Sequence, residues 1–197
     1  MNVITETDRY LFGNGSHYEI YEKLGAHIME VDGVRGTYFA VWAPNATAVS
    51  VVGDFNDWNG YIHIMDRLGT SGIWEKFVPD VYEGHLYKYA ITGRDGATHY
   101  KADPYANLSE MRPGNASVIT NINGYEWGDD KWKKNKPKDT DKLVDEPISI
   151  YEVHIGSWKK DYTNSMDGFC NYRQIAHELG EYVLSLIHIS EPTRPRL

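Results

Sequence analysis

The sequence predicts a mainly β protein, a β-sandwich followed by the opening of a β/α repeat. Three observations carry that expectation. Between Gly36 and Ile122, short runs of β-branched and aromatic residues recur at strand-like spacing, broken by Gly, Pro, Asn and Asp. A charged, apolar-poor stretch with a proline then separates this region from the rest. Beyond it the pattern changes to an apolar run, a loop and an amphipathic helix, which is half of a β/α repeat.

Before the strands, Ser16-His17-Tyr18-Glu19 offers a capping box, with Ile20, Tyr21 and Leu24 at helical spacing, so a short leading helix is expected there. The strands begin near Thr37, Ala48, Ile73, Leu86 and Ser117, with Arg94-Asp95-Gly96 as a tight hairpin turn. In the first of them Tyr38, Ala40 and Trp42 alternate with Phe39 and Val41, as expected for a packed antiparallel sheet. Five clear strands, with room for about two weaker ones, make a β-sandwich. The run from Ile148 to Ile155, opened by Pro147 and closed by Gly156, reads as a further strand. Asn171 caps a helix with Gln174 at its third position, and Tyr172, Ile175, Ala176, Leu179, Tyr182 and Val183 lie on one face. The expected divisions are therefore an N-terminal segment 1–35, a sandwich 36–124, a linker 125–146, the β/α start 147–183, and a tail 184–197. A lone β/α unit cannot bury its faces, so a second domain is begun and not finished.

Composition narrows the function classes. The 197 residues, 41% hydrophobic and 13% aromatic, describe a chain able to bury a core. A net charge of −8 disfavours nucleic acid and anionic membrane as partners, because phosphate binding needs clustered Lys and Arg. No basic leader precedes an apolar core and no apolar run is long enough to span a bilayer. The single Cys170 excludes an intramolecular disulfide, and the cytoplasm is the expected location. The histidines are scattered, with no spacing that converges on a metal, so no metal is expected.

Two residues are candidates for ligand contact. In Gly53-Asp54-Phe55-Asn56-Asp57-Trp58 a strand runs into a turn with Trp58 at its tip. An exposed indole there offers a flat face on which a sugar ring stacks, or it folds back over the end of the sandwich. Lys88, between Tyr87 and Tyr89 on a strand, either donates to sugar hydroxyls or solvates the outer face. Glu152 and His154 stand near the C-terminal end of the expected Ile148–Ile155 strand, the end at which chemistry sits where such β/α units close into a barrel. One carboxylate and one imidazole make no glycosidase pair, and a structural role is expected for both.

The run Gly36 to Ala46, the Gly-Asp-Phe-Asn-Asp-Trp turn and Ala102-Asp103-Pro104-Tyr105-Ala106 resemble the N-terminal glucan-binding module of the α-amylase superfamily. Tyr151-Glu152-Val153-His154-Ile155-Gly156-Ser157-Trp158, with Arg112-Pro113 and Gly124-Tyr125-Glu126-Trp127, is similar to bacterial 1,4-α-glucan branching enzymes. The resemblance covers about Tyr10 to Val183. It implies an immunoglobulin-like β-sandwich of carbohydrate-binding module family 48, followed by the first unit of a (β/α)8 barrel.

It also implies a function: cutting α-1,4-glucan and transferring the segment to a 6-hydroxyl, by a retaining double displacement without cofactor. Glucan contact is implied for Trp58 and Lys88. The second platform Trp of related modules has no counterpart, since Gly96 is followed by Ala97, Thr98, His99 and Tyr100. The catalytic carboxylates are implied on later barrel strands, beyond Val183, and none is assigned in this chain. A debranching or trehalose-forming enzyme shares such a module, and a noncatalytic glucan-binding sandwich is the alternative from another class. The string from Leu184 to Leu197 resembles a translated sequencing adapter and is set apart from the fold.

Overall fold

The computed structural model describes residues 3–136, 150–163 and 166–189. The chain divides into two units at Gly128–Asp129. In the first unit two antiparallel sheets face each other, as the strand spacing predicts. One sheet has the order β1 (Gly25–Val31), β2 (Val34–Trp42), β5 (Ile73–Pro79), β4 (Asp66–Arg67). The other joins β3 (Ala48–Gly53), β6 (Leu86–Thr92), β9 (Ser117–Val118) and β8 (Leu108–Ser109), with β7 (Thr98–Lys101) also on β6. All five clear strands are present, and the Arg94-Asp95-Gly96 turn closes β6 onto β7, pairing Thr92 with Thr98.

The sequence pattern under-counted the strands. β4 and β8 have two residues each, too few to show a period, and β1 begins at Gly25, ahead of the expected sandwich boundary. β1 pairs along its whole length with β2, from Gly25 opposite Ala40 to Val31 opposite Val34.

Alternation along β2 sets two cores. Phe39 and Val41 point between the sheets, against Val49 and Val51 of β3, Trp74 and Val78 of β5, and Tyr87 and Tyr89 of β6. Tyr38 and Ala40 point the other way, where Ile4, Ile20 and Leu24 cover them together with Ile73. The segment ahead of β1 is thus the lid on the outer face of the first sheet. It is anchored by a helix that lies earlier than expected: α1 (Glu6–Gly13) carries a capping box at Thr5 and Asp8. The leading helix expected from Ser16 is absent. Ser16 bonds back to the Leu11 carbonyl, and only a 3₁₀ turn forms at Ile20–Glu22. Gly15, at φ +70°, stops helical continuation.

In the second unit, helix Tyr172–Ile189 starts where expected: Asn171 Oδ1 accepts the Gln174 N–H at 2.9 Å. Ile175 is buried, while Leu179, Val183 and Leu186 are half-buried at the same helical spacing. The helix runs on past Val183, the boundary at which the tail was expected to begin. The expected barrel strand does not form: Ile150–His154 pairs with nothing in a ladder, and Ile155–Trp158 makes one helical turn. A barrel strand must hydrogen-bond to a strand on each side, and no described segment supplies one. Pro147–Ser149, linker residues 137–146 and the tail from Ser190 lie outside the described residues.

Candidate glucan-binding face

The turn after β3 is built by close approach. Gly53 lies so near β6 that a Cβ there would meet the Leu86 carbonyl oxygen at 2.2 Å. The chain then makes a 3₁₀ turn, Asp54–Asn56, and the Asp54 carboxylate accepts the Leu86 N–H at 3.1 Å. Two successive residues, Asp57 (φ +51°) and Trp58 (φ +59°), follow in the left-handed region. That conformation costs a non-glycine residue about 1–2 kcal/mol, and such strain gathers at binding sites. The Trp58 N–H closes the turn on the Gly53 carbonyl at 2.9 Å, leaving the Trp58 residue 36% exposed. The indole is therefore neither fully folded back nor free.

Beyond Trp58 the loop crosses the outer face of the second sheet, where Gly60 lies over Val52 and Ala90. Val52 pairs with Lys88 and Ala90 with Tyr100. Directly opposed residues share a face, so Lys88 and Tyr100 stand on the face that carries the Trp58 loop. Lys88 is half-buried, its ammonium donating to Asn115 Oδ1, which orients it rather than leaving it to wander in solvent. Tyr100 is well exposed. The sequence signal for Tyr100 was the period of two: it lies ten residues after Ala90 in sequence, but the tight hairpin brings it back beside Ala90 on the same face. Asn56, inside the Gly53–Trp58 motif, and His63, which carries no motif, brace the turn from beneath, and the sequence assigned neither a role.

Glu152 and His154, for which a structural role was expected, and Cys170 lie in the second unit. Glu152 and His154 are exposed, and the His154 ring meets only the Ser157 hydroxyl, at 2.8 Å. Cys170 is a free, half-buried thiol within reach of the Lys159 carbonyl. Among the described residues no His, Cys, Asp and Glu cluster could hold a metal, and no helix is long and apolar enough to cross a membrane.

The first unit is a two-sheet antiparallel sandwich with an aromatic turn at one sheet's outer face, and residues 23–106 match carbohydrate-binding module 48 (Isoamylase N-terminal domain). The chain is 54% identical over 181 residues to the 1,4-alpha-glucan branching enzyme of Butyrivibrio fibrisolvens, covering 91% of this chain and 28% of that one. It is 48% identical over 182 residues to the branching enzyme of Protochlamydia amoebophila, covering 92% and 24%. Apo pullulanase from Klebsiella pneumoniae aligns at 30% identity over 51% of this chain and 11% of that one, with a TM-score of 0.41. The chain spans about a quarter of the length of the curated relatives it matches.

Proposed function

We propose that this chain is the N-terminal part of a 1,4-α-glucan branching enzyme and that its sandwich holds α-glucan on the face bearing Trp58, Lys88 and Tyr100. Identity near one half over nine-tenths of the chain supports the enzyme reading. The reaction would be a retaining transfer. A carboxylate displaces an α-1,4-linked chain, whose freed 4-oxygen takes the acid's proton, and a 6-hydroxyl of a second glucan then displaces the carboxylate and gives its proton back. On this reading the two carboxyl groups stand on later barrel strands, as the resemblance implies, and the present chain alone would not branch glucan. The single cysteine favours a reducing, cytoplasmic setting. We read residues 184–197 as adapter-derived on the strength of their sequence alone.

The observation that carries the binding role is the strained Trp58 turn above an ordered Lys88: an indole face and a fixed ammonium suit a sugar's apolar ring face and its hydroxyls. Co-sedimentation of the full chain with glycogen, beside Trp58→Ala, tests it. Retention lost in a folded variant is the expected result. No retention by the folded parent chain would leave the module a purely structural domain.

A further inference from the structure

Asn56 is buried beneath the Trp58 turn and its amide is fully committed. The Gly53 N–H can only donate, so the atom facing it at 2.9 Å is Oδ1. Nδ2 must then give one proton to the Val51 carbonyl at 3.0 Å and the other to His63 Nδ1 at 2.9 Å. His63 also closes the loop through its backbone, accepting the Val51 N–H at 3.1 Å. The loop carrying Trp58 is thus held at its base by one amide and one neutral imidazole. A protonated His63 has no lone pair to receive that Nδ2 proton, and turning the amide over would sacrifice the Gly53 and Val51 bonds.

We propose that Asn56 and His63 are positioning residues for the Trp58 platform, and that protonation of His63 releases the turn so that glucan retention falls in acid. The inference rests on the glucan reading of Trp58. Around His63 stand the Phe55 ring at 5.7 Å and, on β5, Lys76, itself paired with Asp66 at 3.4 Å. The His85 ring also meets Phe55, at 6.0 Å, its Nδ1 accepting the Tyr82 N–H. Asp54 and Asp57 are the loop's own carboxylates, and Asp54 is engaged with Leu86. Burial, with Lys76 adding to it, holds His63 below its ordinary value, so the imidazole is neutral at neutral pH and the clasp is closed there.

The test compares the full chain with His63→Asn, whose Oδ1 offers a similarly placed acceptor that does not titrate. Two readouts are followed from about pH 7.5 to about pH 4.5. One is glycogen retention. The other is the Trp58 indole N–H resonance, assigned by its loss in Trp58→Phe. Retention in the parent chain should fall at least about threefold and the resonance should move with His63 protonation, whereas His63→Asn should hold both constant. Asn56→Asp, which sets an acceptor against the Val51 carbonyl, should weaken retention at both pH values. An equal fall in His63→Asn, or a Trp58 resonance indifferent to His63, would overturn the proposal. A resonance that follows His63 in a chain that retains no glycogen at either pH would instead sink the glucan reading and leave the positioning role standing.

Discussion

The Tyr87 hydroxyl donates a 2.7 Å hydrogen bond to the carboxylate of Asp103, in the closed space between the two sheets. The same carboxylate accepts the Tyr89 hydroxyl at 3.1 Å and the Tyr105 N–H at 2.8 Å, while the Asp103 N–H reaches Ser117 Oγ. Burial pushes Asp103 above the usual carboxylate range, and the bonds from Tyr87, Tyr105 and Tyr89 only partly offset it. The carboxylate links β6 to the chain segment between β7 and β8, so the network fixes the sheet on whose outer face the candidate site lies.

Removing the Tyr87 hydroxyl should expose that balance. Tyr87→Phe leaves a buried carboxylate short of a donor, and the lost charge-assisted bond is worth about 1.5–3 kcal/mol at neutral pH. The sign with pH follows from the raised value. The native state binds its proton more readily than the unfolded chain, so acidification relieves the buried charge, and the protonated group needs the donor less. Urea unfolding should show the deficit shrinking from about pH 7 toward about pH 4. A deficit that grows over that range would contradict the assignment.

Asp8 should behave in the opposite way. Burial alone would raise it, but the bonds from Lys23, Thr5 and His17 outweigh burial and hold its carboxyl well below the ordinary carboxylate value. A depressed native value contributes stability that is present above the unfolded-state value near 4 and lost as pH falls below it. Asp8→Asn should therefore cost about 1–3 kcal/mol at neutral pH, with the difference from the parent chain narrowing below about pH 4 in the same urea titration. These bonds tie α1 to the residues just ahead of β1, so the variant should also loosen the N-terminal lid.

Leu24 tests the lid by packing alone. It is fully buried with Ile4 and Ile20 against Tyr38, Ala40 and Ile73. Leu24→Ala should lower stability by about 2–5 kcal/mol, read from the urea midpoint, because the rigid sheet beneath cannot collapse into the space. A cost below about 1 kcal/mol, the size of a surface change, would mean the lid is not part of the folded unit.

Much of this architecture was legible because the sandwich strands are long enough to show a period. Phe39 and Val41 against Tyr38 and Ala40 revealed two opposed faces of β2, though not that the second face is covered from the N-terminal side. The helix was misplaced because two capping boxes stand close together, and the choice between Thr5 and Ser16 is made by where Asp8 finds Lys23 and His17, a tertiary fact. The expected Ile148–Ile155 strand makes no ladder from Ile150 on, because periodicity reports what a segment can do, while a ladder needs a neighbour. At the candidate site, Trp58 and Lys88 were visible as residue types in a turn and a strand. Asn56 and His63 were not, because their roles depend on a hydrogen-bond acceptor assignment that exists only once the loop is closed.

The close approach at Gly53 joins stability to binding in one residue. Its missing Cβ would fall 2.2 Å from the Leu86 carbonyl oxygen and 2.5 Å from the Phe55 ring. Phe55 could rotate away, but the Leu86 carbonyl belongs to β6, whose N–H at that residue is held by Asp54. The backbone of β3 must therefore move, and with it the Gly53 carbonyl that accepts the Trp58 N–H and the Gly53 N–H that orients Asn56. Gly53→Ala should cost about 1–3 kcal/mol, as overpacked sites do, which leaves the sandwich folded. Glycogen retention should fall at least as far as in Tyr100→Ala, which removes one exposed ring from the face and leaves the turn intact. A folded Gly53→Ala chain that retains glycogen like the parent would show that the turn tolerates the shift and that Trp58 needs no such exact support.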